Sequence, residues 1–392
     1  MMVRRRTFLS TLGMAAFGAG AADGAAGDSV LWEHRIAALE FRKVRLPWPR
    51  LVGKNARLGV HGRGPEPEVL ILKTDQGAGG WGMAGDRRQV EAMRERLLGS
   101  RVSELIDPAS GIRAPELRPL DIALHDLAGV ILGVPVWKML GAGDQPQLTK
   151  LYSGMIYFDD LEPEDKPAGI AKVLENARWD RDHGYRQLKV KIGRGNRWME
   201  PAQGLRRDIE VVNAVAREVP DCEVLVDGNN GFTADTFIRF LKGIDGVPLF
   251  WIEEPFHETV DDWRRLAAWT RSNGYGKTLL ADGEADPDQA VLDQLGREKV
   301  LQVRLEDILG LGFTAWRKWM PELAAQGIQA SPHTWGCSLK TVYTAHLVGG
   351  LGNAPTIEGV TSGGQDVDFE ENKIINGRFV PSPKPGFGVN LS

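Results

Sequence analysis

Cysteine is nearly absent: the 392 residues contain two, Cys222 and Cys337, which excludes a disulfide framework and a cysteine-built zinc centre. Cys222 opens the run CEVLVD and reads as a small buried residue, while Cys337 follows His333 without a visible activating partner. Apolar runs of membrane-spanning length are missing too, which argues against stable membrane insertion. No long basic run occurs beyond the N-terminus and the formal net charge is −4, so nucleic acid is not an expected partner. Nor does a glycine fingerprint open a helix after the first strand, as dinucleotide binding would require. Glycine itself is plentiful at 47 residues, as many tight strand-to-helix turns demand. Hydrophobic content of 42% and charge of 26% are those of a soluble globular protein, and the length suits a barrel plus a second domain.

In residues 1–27, Arg4, Arg5 and Arg6 precede Thr7-Phe8-Leu9, and a mild Ala/Gly-rich run follows. This reads as a twin-arginine export signal and predicts a periplasmic or otherwise exported protein. The next stretch alternates as a strand and breaks at Pro47 and Pro49; VLILKTD gives a second strand, QGAGGWG a glycine turn able to approach a ligand, and residues 86–99 a charged helix. Apolar residues at helical spacing fill 115–140. Strands followed by helices, without alternation, predict a small α+β domain over 28–147.

From Leu148 the pattern changes. Strand candidates recur at 148–153, 187–192, 222–227, 248–253, 278–282, 300–305, 328–332 and 355–358, with amphipathic segments such as 201–218, 260–272, 286–296 and 312–326 between them. Such alternation predicts a parallel barrel over 148–360. The last segment, 361–392, lacks a helical period and is expected to pack on the first domain.

The strands end on Lys191, Asp227, Glu253, Glu284 (or Asp282), Asp307 (or Glu306), His333 and Glu358. In a parallel barrel all of these reach one face, where barrel enzymes do chemistry. Three carboxylates from adjacent strands suit a hard cation, Mg²⁺ first and Mn²⁺ second, and without histidine or cysteine they do not suit zinc. Lys189 and Lys191 lie two apart on one strand and point the same way. Their repulsion, with a metal charge nearby, predicts a lowered amine pKa and hence a usable base. His333 would be oriented by a carboxylate of the neighbouring strand. The loops 46–61 and 77–83 are expected to select substrate, with Trp48, Arg50, His61 and Trp81 as candidate contacts.

The motifs LKVKIG, VDGNNGF, WIEEPF, ADGE, DILGLGFTAW, SPHTWG, IEGV and LHDLAGVILGVPVWKMLGAG together resemble the enolase superfamily, and within it the mandelate racemase-like subgroup of the mandelate racemase/muconate lactonizing enzyme family. The resemblance spans nearly the whole chain after the signal. It implies a modified TIM barrel, (β/α)7β, under an N-terminal α+β capping domain, and homo-oligomeric assembly. It implies Mg²⁺ on Asp227, Glu253 and Glu284, the last favoured over Asp282 because Gly-Glu matches the racemase branch. Lys191 and His333 would be acid/bases on opposite substrate faces, with Lys189 beside Lys191 and Asp307 behind His333. Asp307 is favoured over Glu306 because an Asp–His pair is the family's dyad. Glu358 would bond a substrate carboxylate oxygen, and Asn229 would support the site or touch substrate. A muconate-type enzyme would carry a lysine near Leu305, where Arg304 is the only basic residue.

The implied reaction removes the proton α to a carboxylate. Dehydration of an acid sugar to a 2-keto-3-deoxy acid is the first expectation; racemisation or epimerisation of a 2-hydroxy acid is the second. A metal-dependent hydrolase would show paired histidines on the first strand, and LTKLYSGM has none. A non-catalytic periplasmic sugar-acid binder is the expectation from another class, but it would need no opposed acid/base pair.

Overall fold

The computed structural model describes residues 29–392 apart from 245, 285 and 370, so the predicted export signal lies outside the described residues. The first domain is a three-stranded antiparallel sheet, Ile36–Lys43, Glu68–Thr74 and Gly79–Met83, backed by the helix Asp121–Leu132. That helix stops at Gly133, whose left-handed φ of 68° a residue without Cβ adopts freely, and Pro135 follows. The glycine-rich stretch 77–83 was expected to approach ligand, and here the structure corrects the sequence. It supplies the third strand, and a Cβ on Gly80 or Gly82 would lie 2.4 Å from the Leu127 backbone or 2.3 Å from Ile122. Those glycines let helix and sheet close on each other.

Eight parallel strands follow among the described residues: Lys150–Ile156, Gln187–Lys191, Glu223–Asp227, Leu249–Glu253, Leu279–Asp282, Val303–Arg304, Gln329–Ala330 and Thr356–Gly359. The first seven pair in sequence order and the eighth returns to the first. Between the seventh and eighth, Ala330 N donates to Asn353 O at 3.0 Å, and Thr334 N donates to the Glu358 carboxylate at 2.9 Å. One helix or more follows each of the first seven strands, which makes the fold a (β/α)7β barrel under an α+β cap. Local signals start these helices where sequence rules place them. Glu200 caps Pro201–Glu218 and accepts from Gln203 N, Thr259 caps Val260–Ser272, and Asp288 caps Gln289–Arg297.

Tyr152, Leu225, Trp251, Ala281, Val303 and Leu305 fill the barrel interior, so it is a plugged core with chemistry only above it. The capping loop crosses that upper end. Trp48 and Val52 join Met155, Tyr157 and Val360 in one apolar cluster, and Trp198 and Asn196 donate to the carbonyls of Asn55 and Ala56 at 2.6 and 2.9 Å. The C-terminal segment packs on the cap only in part. Its hairpin Lys373–Ile375 and Arg378–Val380 pairs antiparallel with the first barrel strand, Arg378 opposite Lys150. Its end returns to the cap, where Phe387 N donates to Asp126 at 2.7 Å and the Trp81 indole donates to Val389 O at 3.2 Å. Among the described residues no helix is long and apolar enough to cross a membrane.

Candidate active site

Strand register brings the charged ends together. Lys191 lies opposite Asp227, Asp227 opposite Glu253, and Glu253 opposite Ala281, so the fifth strand reaches the ring only with residues beyond its end. A break at the strand's end then separates two nearby acids. Ala281 faces the interior, so Asp282 turns outward; the strand ends there, and Gly283, at a left-handed φ of 128°, breaks the alternation and brings Glu284 in. Ligand oxygens of Asp227, Glu253 and Glu284 all lie within 4.8 Å of one another. Asp282 instead accepts from Gly283 N at 2.6 Å. Burial, with Glu254, Glu258 and Glu306 nearby, raises its pKa well above the usual carboxylate range.

The same parity decides between Glu306 and Asp307. Val303 and Leu305 face inward, Arg304 outward, and Glu306 follows Arg304 into an ion pair with it. Asp307 faces His333, with Nδ1 to Oδ2 at 3.2 Å. On the other side of the imidazole, Nε2 stands 2.5 Å from a Glu284 oxygen and 3.8 Å from Glu358. Burial alone would lower the His333 pKa, but Glu284, Asp307 and Glu358 carry it up to about 10.

Both lysines are buried. Lys189 Nζ lies 2.6 Å from Glu253, 3.2 Å from Asp227 and 3.2 Å from Glu358, and Lys191 pairs with Asp227. The expected lowering of the amine pKa includes a metal charge; the protein's own groups by themselves act the other way. Burial acts downward, but the carboxylates around each ammonium outweigh it and the second amine, and both pKa values are raised. Lys189 also sits 5.1 Å from the Tyr152 ring centre and Lys191 5.3 Å from that of Tyr157.

Supporting groups fix the ring. Asn229 N donates to Asp227 Oδ1 at 2.9 Å and its side-chain amide donates to Glu254 at 3.3 Å, from a left-handed φ of 42° that asparagine tolerates. That is a holding arrangement, with the amide oxygen buried and unbonded. Glu358 accepts from Thr334 N and reaches Lys189 with its other oxygen. Thr334 and Lys340, which donates to Asp307 Oδ2 at 2.6 Å, were missed by the sequence reading. Thr334 could have been inferred from its place beside His333, whereas Lys340 lies on the following helix and gives no signal.

Two predicted substrate contacts fall elsewhere. The Arg50 guanidinium forms a two-pronged pair with buried Asp180, at 2.6 and 2.8 Å, and donates to Met155 O, so it braces the cap on the barrel flank. Trp81 lies in the cap's sheet and ties down the C-terminal segment. Trp48 and His61 do come to the mouth. The Trp48 and Trp335 ring centres are 5.1 Å apart, the Trp335 ring stacks on Tyr157 at 4.6 Å, and the His61 ring meets Tyr157 edge-on at 4.7 Å.

The donor set fits a hard divalent cation. It is all carboxylate, and one oxygen each of Glu253 and Glu284 is buried without a hydrogen bond. A plugged parallel barrel under a cap, with three carboxylates between a lysine pair and a histidine, is the arrangement of an enzyme that couples a cation site to acid/base groups. The chain belongs to the enolase C-terminal domain-like family, whose model matches residues 172–392, and through it to the mandelate racemase/muconate lactonizing enzyme group of the enolase superfamily. It is similar to a galacturonate dehydratase from Geobacillus sp. solved with D-galacturonate and 5-keto-4-deoxy-D-galacturonate. That structure is 27% identical, with a TM-score of 0.84 covering 92% of this chain and 95% of that one. Another structure of the Geobacillus enzyme, a mutant at TM-score 0.85, was solved with Mg. Among curated proteins, the D-xylonate dehydratase of Haloferax volcanii is 24% identical over 364 residues, 84% of each chain. The D-galactarolactone cycloisomerase of Agrobacterium fabrum is 22% identical over 333 residues, 81% of each. This chain is accordingly an enzyme of the enolase superfamily.

Proposed function

We propose that the protein dehydrates an acid sugar to a 2-keto-3-deoxy acid. The observation that carries the reading is the placement of Lys191 and His333: each touches a different carboxylate of the trio, one from the second strand and one beyond the seventh. A substrate seated at the trio would have a basic nitrogen on either side. Asp227, Glu253 and Glu284 would hold Mg²⁺. When bound, the ion supplies Lewis-acid polarisation of the substrate carboxylate and offsets the negative charge that now raises both lysine pKa values.

The α-carbon's proton passes to the Lys191 amine, leaving an enediolate. Lys189 and Glu358, 3.2 Å apart, stand together where the substrate carboxylate would lie. His333, held by Asp307, donates its Nε2 proton to the β-hydroxyl as that C–O bond breaks, and water leaves. The resulting enol ketonises to the 2-keto-3-deoxy acid. Buried, fixed groups of this kind stabilise developing charge without reorganising at the moment of reaction. The 5-keto-4-deoxy-D-galacturonate bound to the Geobacillus relative, with a keto group next to the carboxylate and a deoxy carbon beyond it, has the same pattern counted from the carboxylate.

The test is semicarbazide detection of 2-keto acid across a panel of aldonic and uronic acids with Mg²⁺. One or more substrates are expected to give product, and Lys191→Met to give none. Stereochemical inversion without keto acid would replace this reading by racemisation. The proposal also sets the protein's work outside the cytoplasm, on the run Arg5-Arg6-Thr7-Phe8-Leu9. Exchanging Arg5 and Arg6 for lysine is expected to retain it in the cytoplasm, and unchanged export would remove that part.

A further inference from the structure

Asp307 is held from four directions. It caps the helix Ile308–Leu311, with Oδ1 accepting from Leu309 N at 2.9 Å and Gly310 N at 2.8 Å. Oδ2 is shared between His333 Nδ1 at 3.2 Å and Lys340 Nζ at 2.6 Å. A carboxylate has about four acceptor positions, so this one is saturated, and His333 has the longest of the four contacts. The Lys340 ammonium also donates to the Trp335 carbonyl at 3.4 Å. Lys340 stands in the first turn of Ser338–Leu351, behind the dyad as viewed from the trio, with its side chain 15% exposed.

Those two contacts close the segment from His333 to Lys340 into a loop tied by its own side chain. His333 is at one end, and Trp335, two residues on, stacks on Tyr157, over whose ring the Lys191 ammonium sits at 5.3 Å. One ammonium thus braces the acid on one side of the site and the aromatic wall beside the base on the other. Neither sequence pattern nor metal chemistry asks for a cation here, and like charge beside an imidazole that must carry a proton is otherwise unfavourable.

We propose that Lys340 is a positioning residue, fixing the Asp307 carboxylate and the Trp335 carbonyl from outside the site so that His333 and the wall over Lys191 keep one mutual geometry. The proposal rests on the reading of His333 as the acid of the dehydration. It implies that Lys340 affects the chemical step and leaves substrate binding alone, since its ammonium is taken up by Asp307 and the Trp335 carbonyl.

The test uses the Mg²⁺-loaded full chain with ¹⁵N-labelled histidine, comparing wild type, Lys340→Met and Lys340→Arg at one pH, with His333→Asn to assign the His333 ring signals. In Lys340→Met those signals are expected to shift or broaden while those of the remaining histidines stay in place. On a turned-over substrate, kcat is expected to fall about tenfold, since sub-ångström misplacement of a catalytic group is enough for that, with KM within about twofold. Lys340→Arg is expected to restore most of both. Unchanged His333 signals with unchanged kcat in Lys340→Met would overturn the proposal, and so would a loss that appears in KM alone. Should Lys340→Met not fold, Lys340→Gln takes its place with the same readings. A wild-type protein that turns over no acid sugar would defeat the dehydratase reading, and the ring signals would still decide the role of Lys340.

Discussion

Gly154 lies on the first barrel strand, and its missing side chain leaves room for Glu358. A Cβ there would stand 2.4 Å from Glu358 Oε1 and 2.9 Å from both Cδ and Cγ. Ordinary contact begins near 3.5 Å, so Gly154→Ala forces a displacement of about 1 Å. Glu358 cannot simply swing aside, because one oxygen accepts from Thr334 N at 2.9 Å and the other lies 3.2 Å from Lys189. Overpacking of this kind costs about 1–3 kcal/mol of stability. A 1 Å misplacement at the reacting end costs about 100-fold in rate. The expected result is therefore a melting temperature lowered by a few degrees with kcat/KM down about 100-fold. Calorimetry and a keto-acid assay on one preparation measure both. The double variant Gly154→Ala/Glu358→Ala relieves the clash and is expected to recover the melting temperature without recovering turnover. Wild-type turnover in Gly154→Ala would refute the placement of Glu358 at the reacting carboxylate.

Further outcomes follow from the same geometry. His333→Asn is expected to stop keto-acid formation while Lys191 still exchanges the substrate α-proton in deuterated water; retained turnover would remove His333 from the mechanism. Arg50→Met is expected to destabilise by about 3–5 kcal/mol, because it leaves Asp180 buried without its partner, with KM within about twofold; a large rise in KM would restore Arg50 as a substrate contact. His346 is buried and its Nδ1 accepts from Trp137 N, and burial pushes its pKa down to about 3. The unfolded chain takes up that proton near pH 6.5 and the folded one does not, so the stability it contributes is complete above 6.5 and falls as pH drops toward 3. Between pH 6.5 and 5 the wild type should lose about 2 kcal/mol more than His346→Leu in denaturant titrations; parallel losses would contradict this.

How much of this could be read from the sequence depended on whether strand parity was visible. Asp227 and Glu253 end their strands, and alternation with register makes them neighbours without further information. Glu306 against Asp307 could not be settled by composition, since a shift of one residue exchanges inside for outside; Asp282 and Glu284, two apart, share one parity, which only the left-handed turn at Gly283 undoes. Val303 and Leu305 in the interior settle the first choice, and those apolar residues were already in the sequence as the signal. What the sequence hid were partners far along the chain. Asp180, 130 residues from Arg50, takes its guanidinium, and Val389 takes the Trp81 indole. The glycines of 77–83 misled because close approach to a helix and close approach to a ligand use the same residue. The lysine pKa direction turns on the metal charge: among the protein's own groups, the carboxylates that surround each amine outweigh the neighbouring amine.

The central claim is that Asp227, Glu253 and Glu284 hold a divalent cation at which Lys191 and His333 remove water from an acid sugar. The most direct measurement is mass spectrometry and proton NMR of the protein with Mg²⁺ and a broad acid-sugar panel in deuterated water, before and after chelation. The account predicts a 2-keto-3-deoxy acid carrying solvent deuterium at the carbon next to the keto group, formation that stops with the chelator and returns with Mg²⁺, and none from Asp227→Asn. Tight binding of a sugar acid with neither deuterium incorporation nor keto acid anywhere in the panel would contradict it and make the protein a binder.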